Sequence, residues 1–384
     1  MIFFDRRTLF LFDWWALIIV VLLCCCGLMN VFSATYREDV PCSVFFYKQV
    51  FGVLSGLIIY FVFCCIHYKT LQKWGYYCYF LVIGLLLFTM IKGSIGMGAQ
   101  RWLDIGFIKF QPSELTKLFF PAFFIQLIER RFFELPRGSV YVMPVIALLF
   151  TIVLVLKQPD LGTAILIALL GSLLLWFSGV PTKYFVYFFG VLLICAPLAY
   201  HVLKPYQLQR IEVFLGEGDA QRERYQIEQS QIAVGSGGLF GKGFLQGTQH
   251  RFQFLPESRT DFIFSVFCEE WGFVGALLLI FLYMLLFWRL CIVISSVPMY
   301  MVRLLAIGLG LSFIISTMVN MGMVIDLLPI VGIPLPFMTY GITHVWITMA
   351  SLGWINGIAA RRYLMHNSSS GCVAMGNFLS RSER

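Results

Sequence analysis

Charged side chains are scarce in this sequence, and the few places where they gather are where chemistry is to be sought. Four segments are polar against an apolar background. They are Arg101-Trp102-Leu103-Asp104 with Gln111-Pro112-Ser113-Glu114, Gln158-Pro159-Asp160, the stretch 203–260, and Asp326 to Gly341. Carboxylates of this kind can take or give a proton in a reaction. Arginine and lysine beside them can hold negative charge. Other chemistries are absent from the pattern. No His-Glu-x-x-His, no Ser-His-Asp constellation and no metal-binding cysteine pair is found. The glycine-rich run Gly235 to Gly243 invites a phosphate-loop reading, but Gly243 follows Lys242 where Ser or Thr is required. Its glycines support close backbone approach instead.

Every one of these acids also has a structural reading. Pro112-Ser113-Glu114 and Pro159-Asp160 have the form of helix starts, with proline in the first turn and an acid at the positive helix end. Thr260-Asp261 is equally a candidate N-cap for the helix that follows. Lys117 lies three residues after Glu114, so the two can pair on one helix face. Glu269 and Glu270 are harder to dismiss. They lie about 12–14 Å deeper than Asp261 at the helical rise, where a charge costs roughly 2.5–3.5 kcal/mol. At about 100° per residue they cannot share a face, so at least one needs a protein partner or a wet pocket. His344 reads as a packed polar residue.

The elements that must position these residues are membrane helices. Of 384 residues, 59% are hydrophobic and only 12% charged; a soluble domain carries about a quarter charged. Spans of roughly 20 apolar residues fall near 14–33, 44–66, 74–91, 112–128, 139–156, 162–179, 184–202, 261–288, 303–325 and 342–360. The expected fold is therefore all-α, an integral membrane protein of about ten helices with one large outer loop, about 203–260, between the seventh and eighth. Residues 1–362 form a single membrane domain. The Ser-, Asn- and Gly-rich end, 363–384, reads as a disordered cytoplasmic tail. Arg6, Arg7, Lys69, Lys73, Arg130, Arg131, Arg289, Arg361 and Arg362 place both termini inside under the positive-inside rule. The net charge of +8 is thereby a matter of topology, and no nucleic acid is implied. The first apolar run lacks a small-residue cleavage site and is read as a retained helix. The cysteines lie mostly in apolar runs, as small fillers. With this helix count, all four polar segments open on the same outer face. Within 203–260, Tyr225 to Val234 suits a short interfacial helix.

Taken together, the motifs resemble those of the shape, elongation, division and sporulation (SEDS) polymerases of bacterial cell walls. The residues that carry this are Arg101 to Asp104 running on to Glu114, Gln158-Pro159-Asp160-Leu161-Gly162-Thr163, Gln229-Ser230 through Gly241-Lys242-Gly243, and Leu255-Pro256-Glu257 with Thr260-Asp261-Phe262-Ile263-Phe264. Gly247-Thr248-Gln249 and Gly332-Ile333-Pro334-Leu335-Pro336 look like the rod-shape branch of that family. The resemblance implies a multi-pass protein of the bacterial inner membrane, with termini in the cytoplasm. It implies a peptidoglycan glycosyltransferase that polymerises lipid II during elongation and releases undecaprenyl diphosphate. Its implied partners are a class B penicillin-binding transpeptidase, other elongation-machinery membrane proteins and membrane lipid. Asp261 would be the general base with Glu257 beside it. Substrate contacts would fall to Arg101, Trp102, Asp104, Lys109, Gln111, Glu114, Lys117, Asp160, Gln207, Arg210, Gln229, Lys242 and Arg259. No cofactor is implied with certainty; a divalent cation, magnesium or manganese, is compatible with a diphosphate leaving group.

The sequence departs from the family at three places. Arg259 stands where a histidine is usual, and an arginine there would act on Asp261 or on phosphate. Gly341-Ile342-Thr343-His344 replaces a Gly-Gly-Ser-Ser/Ala pattern and puts close packing of the last helix in question. Glu217 to Arg224 lacks the usual Asp-Pro and glycine pattern. A lipid flippase or transporter is the competing class, supported by buried glutamates and the broken segment Pro329 to Pro336. A non-catalytic scaffold is the third.

Overall fold

The computed structural model describes residues 11–36, 42–96, 99–106, 108–131, 139–199, 208, 213, 221–252, 254–255 and 257–366. It is a helical bundle with one small sheet. The helices, in chain order, are α1 (Trp14–Thr35), α2 (Val44–Cys65), α3 (Tyr68–Lys92), α4 (Pro112–Arg131), α5 (Val142–Lys157), α6 (Leu161–Phe177), α7 (Thr182–Ala199), α8 (Gln221–Ser236), α9 (Thr248–Arg251), α10 (Ile263–Ser295), α11 (Tyr300–Val324), α12 (Ile342–Ala360) and α13 (Arg362–His366). Among the described residues, six helices are long and apolar enough to cross a membrane: α1, α2, α3, α5 with the turn before it, α10 and α11. The chain is thus a multi-pass membrane protein. Helix is the form its apolar runs must take, because lipid offers no partner to an open backbone.

Local capping sets several of the helix starts. Asp13 accepts from the Ala16 amide, Ser43 from Phe46, His67 from Lys69 and Asp160 from Thr163. The cap at His67 begins α3 six residues before the apolar run suggests. Thr260-Asp261 does not cap α10. The N-cap is Phe262, without a side-chain bond, and residues 257–262 form a turn ahead of the helix. The acid therefore stands outside the helix it was expected to begin.

Two features were not legible as elements. Strands β1 (Ser94–Gly96), β2 (Ala99–Ile105) and β3 (Ile108–Phe110) form an antiparallel sheet in chain order. The outer strands are too short for periodicity to reveal, and β2, Ala99-Gln100-Arg101-Trp102-Leu103-Asp104-Ile105, does not alternate cleanly. In α10, Gly272 has φ 65° and ψ −164°, which breaks the helix. The helix expected at 225–234 is present as α8, which extends it to 221–236. At the other end, α13 carries ordered helix to His366, past the expected domain limit at 362; the tail beyond it lies outside the described residues.

The break in α10 explains the glycine-rich run. Gly237 to Gly243 lies directly on the break. The amides of Phe273 and Val274 donate to the carbonyls of Gly238 and Leu239, at 2.9 and 3.1 Å. The amides of Lys242 and Gly243 donate back to the carbonyls of Glu269 and Glu270, each at 3.0 Å. A side chain on Gly241 would collide with the Glu270 carbonyl. The loop thus supplies the hydrogen bonds that the broken helix gave up, as a membrane interior requires.

Candidate active site at one end of the bundle

The first corner of the site is built around Asp160. This residue ends the turn after α5 and caps α6, and it is buried. Its Oδ2 accepts from Gln111 Nε2 at 2.7 Å and from Ser113 Oγ at 3.0 Å. Its Oδ1 faces Arg101 at 3.3 Å. The capping role and a site role therefore coexist in one carboxylate. Arg101 comes from β2, so the unforeseen sheet is what carries the guanidinium to the mouth of α6. Its Nε is buried and has no hydrogen-bond partner among the described residues, and the guanidinium also lies 5.9 Å from the Trp102 ring.

The second corner is a buried ionic group. Lys117 Nζ donates to Glu114 Oε1 at 2.6 Å, the pair expected from their spacing. The other carboxylate oxygen, Oε2, lies 2.9 Å from His344 Nδ1. His344, on α12, is the buried packed polar residue expected, and the group it packs on is Glu114. Its ring is in contact across helices far apart in sequence, a fact no local pattern carries. Ahead of it, Thr343 Oγ1 donates to the Lys109 carbonyl at 3.2 Å, and the Gly341 amide donates to Gln49 Oε1 at 3.0 Å. The departure at 341–344 therefore seats α12 against β3 and α2 rather than loosening it.

Asp261 forms the third corner. Its loop is tied down by backbone bonds. The Thr260 and Phe262 amides donate to the Glu257 carbonyl at 3.0 and 3.3 Å, and Thr260 Oγ1 donates to Glu257 Oε2 at 2.8 Å. Glu257 adopts φ 58°, a left-handed backbone that only the surrounding bonds hold in a non-glycine residue. Asn320 on α11 donates both to the Asp261 carbonyl at 3.0 Å and to the Ile333 carbonyl at 2.8 Å. Asp261 is half-buried. Arg259 lies with its guanidinium 4.0 Å from the Phe45 ring centre, and its carbonyl accepts from the Tyr340 amide at 3.0 Å. A cation stacked on an aromatic face is held there by the ring's charge distribution, so Arg259 is turned toward α2. Asn320 is a site residue that the sequence offered no signal for, since it lies within an apolar span.

The segment 325–341 joins the corners. It is irregular, as expected of Pro329 to Pro336; its start at 325–328 is exposed, but from 330 on it runs into the protein, where Ile330, Val331, Ile333, Leu335, Phe337 and Met338 are all core residues. A Cβ on Gly162, two residues after Asp160, would strike the Val331 carbonyl. One residue on, the Cβ position of Gly332 is 3.4 Å from Asp261 Oδ2. Gly162, in the helix that Asp160 caps, and Asp261, 99 residues further along the chain, thus approach neighbouring residues of this segment.

Other expected site residues lie elsewhere. Lys242 is given over to Glu269, at 2.6 Å. Glu269 also accepts from Thr248 N and Oγ1 at 2.7 and 2.8 Å and from Gln249 N at 3.2 Å. Glu270 accepts from Ser33 on α1. Both glutamates therefore have protein partners, on different faces, and no wet pocket is needed to explain them. Asp104 and Lys109 stand opposite one another in the β2–β3 register and are exposed. Gln229 is half-buried on α8, beside Ser230, whose hydroxyl bonds Ser265 and the Val324 carbonyl. Gln207 and Arg210 lie outside the described residues. Among the described residues no group of three or more His, Cys, Asp or Glu side chains is placed to hold a metal.

Residues 14–364 match the family model of FtsW, RodA and SpoVE, described as cell cycle proteins. The chain belongs to this family. SEDS polymerases are the family that its motifs resemble. It is 38% identical over 327 residues to the peptidoglycan glycosyltransferase MrdB of Escherichia coli, covering 84% of this chain and 87% of that one. It resembles the crystal structure of the rod shape determining protein RodA of Thermus thermophilus with a TM-score of 0.69 and 27% identity, over 92% of this chain and 98% of the other. A chain of a peptidoglycan synthase complex that coordinates polymerization and crosslinking superposes better still, with a TM-score of 0.78 at 27% identity over the same shares. The SEDS fold thus extends across the bundle and all three corners of the site.

Proposed function

We propose that this chain is a peptidoglycan glycosyltransferase that polymerises lipid II on the outer face of the bacterial inner membrane during cell elongation. The observation that carries the reading is that α6, capped by Asp160 with Arg101 against it, packs through Gly162 on Val331, next to the Gly332 that lies beside Asp261. This juxtaposition, in a member of the FtsW, RodA and SpoVE family, provides an acid–base group and cationic charge in one place. The relatives named as peptidoglycan glycosyltransferases support the activity.

In the reaction, a sugar hydroxyl of one lipid-linked chain attacks the anomeric carbon of another. The bond from that carbon to the diphosphate breaks, and undecaprenyl diphosphate leaves. Asp261 takes the proton of the attacking hydroxyl, a step for which a half-buried carboxylate on a fixed loop is suited. Glu257 acts on the loop, holding Thr260 and the turn that presents Asp261. Arg101 stabilises the diphosphate as its charge grows. Lys117 adds its field from within the protein rather than by contact, since its ammonium is buried behind Glu114. Ten spans put both termini in the cytoplasm, with the large 203–260 loop and the site outside. A class B penicillin-binding transpeptidase is the partner that this reading expects, as one of the solved neighbours comes from a synthase complex.

Purified full-length chain incubated with lipid II and resolved on a gel tests the function. Glycan strands support it. Movement of lipid II across vesicles without polymer would mark a flippase, and neither product would mark a scaffold.

A further inference from the structure

The proposed function uses Lys117 but leaves His344 and the space beneath it unexplained. Nε2 of His344 and Oγ of Ser351 are both buried and have no hydrogen-bond partner among the described residues. They are seven residues apart on α12, hence on one face. Both line the same small cavity, which also touches Glu114 and Lys117 of α4 and Ser312 and Ser316 of α11. The space open to water centres is about 10 Å³, about enough for one water molecule where polar partners converge. Two orphaned polar atoms facing one cavity of that size is the arrangement a structural water resolves, since each unsatisfied group costs free energy on its own.

We propose that His344 is a positioning residue for Lys117, locked by a single water held between His344 Nε2 and Ser351 Oγ. This rests on the glycosyltransferase reading of the site. An ionised carboxylate only accepts, so at the 2.9 Å contact His344 Nδ1 carries the hydrogen and donates to Glu114 Oε2. In the uncharged ring Nε2 is then the acceptor, and the water donates to it while accepting from the Ser351 hydroxyl. The hydroxyl oxygen of Ser316, whose own hydrogen goes to the Ser312 carbonyl at 2.8 Å, can accept the water's second hydrogen. Imidazole and ammonium thereby grip opposite oxygens of Glu114. The carboxylate cannot rotate, and the ammonium 2.6 Å from Oε1 is fixed with it. Sharing the carboxylate between two donors also leaves more of the Lys117 charge uncompensated toward the diphosphate.

The test uses the full-length chain in detergent or nanodiscs. His344→Ala is expected to lower kcat for lipid II polymerisation about tenfold, with KM changed less than threefold. His344→Asn, whose amide can donate in place of Nδ1, is expected to recover at least half of the loss on a logarithmic scale. Ser351→Val, which fills the cavity with a methyl, is expected to lower kcat two- to threefold. Reductive methylation of Lys117, read by peptide mass spectrometry, should be at least fivefold faster in His344→Ala than in wild type or His344→Asn. Equal methylation in all three proteins, with thermal midpoints alike, overturns the positioning role. A high-resolution cryo-EM map with no density between Nε2 and Oγ overturns the water lock. Should wild type make no polymer, the glycosyltransferase reading fails, while the methylation rates still decide what His344 does to Lys117.

Discussion

Two acidic regions of this bundle make an instructive pair. Glu269 and Glu270 are the deeper and more buried, and by charge alone the more suspicious. The structure surrounds Glu269 with Lys242, Thr248 and the Gln249 amide, and gives Glu270 the Ser33 hydroxyl. Asp261 is shallower and half-buried, and its loop is held mainly through backbone groups: the Thr260 and Phe262 amides, and Asn320 reaching its carbonyl. The glutamates are the fasteners of the α10 break, whereas Asp261 sits on a turn whose backbone is held by α11 and the 333–340 segment. A charge inside a membrane protein is therefore weak evidence of chemistry until its partners are counted. For Glu269 and Glu270 those partners close the break in α10, and the charge is accounted for by the fold.

That comparison breaks most easily at Asp261. Replacement by Asn should cut lipid II polymerisation by at least about a hundredfold, the range for loss of a positioned base, while the thermal midpoint stays near that of wild type. An Asp261→Asn protein that polymerises at near-normal rate would falsify the base assignment.

Glu269→Gln should show the opposite profile. Breaking a buried ion pair leaves the partner charge stranded at a cost of about 3 kcal/mol, so the yield of folded protein and its thermal midpoint should fall. Lys242→Met added to Glu269→Gln should restore part of that loss, because the stranded charge is then gone too. If either variant instead lost polymerisation with stability intact, Lys242 would belong to the substrate after all.

A smaller loss is expected at the break itself. Gly272→Ala forces a side chain into φ 65°, about 1–3 kcal/mol of strain, besides crowding the Gly241 amide. Differential scanning fluorimetry should record the drop, and surviving protein should keep its kcat.

The smallest effect belongs to the sheet. Asp104→Asn and Lys109→Gln alter an exposed cross-strand pair, and each should move stability by no more than about 0.5 kcal/mol. A tenfold rise in KM for lipid II in either would show that the pair faces the substrate, which stability alone does not reveal.

The apolar runs were enough to reveal the helices, because a long uncharged stretch in lipid has one way to satisfy its backbone. Asp160 as a cap and Glu114 with Lys117 as a pair were also legible, since both depend on spacings of three residues within one helix. The sheet was not, because its two outer strands are three residues long and the central one, 99–105, shows no clear alternation of polar and apolar residues. The misplaced N-cap at Asp261 shows the same limit from the other side. Local preference favours an acid at a helix start, but bonds from Asn320, Thr339 and the Tyr340 amide to the 259–261 backbone hold those residues as a turn outside it.

What the sequence determined by itself was the membrane class, the helical segments and the set of polar residues available for chemistry. Each follows from interactions among residues close in the chain or from contact with lipid. Only the tertiary structure decided which of those polar residues meet: Asp160 with Arg101 and Gln111, His344 with Glu114, Lys242 with Glu269. Such pairings depend on the burial and close approach of segments tens to hundreds of residues apart, and a charged side chain looks the same in the sequence whether its partner is a neighbouring loop or a substrate.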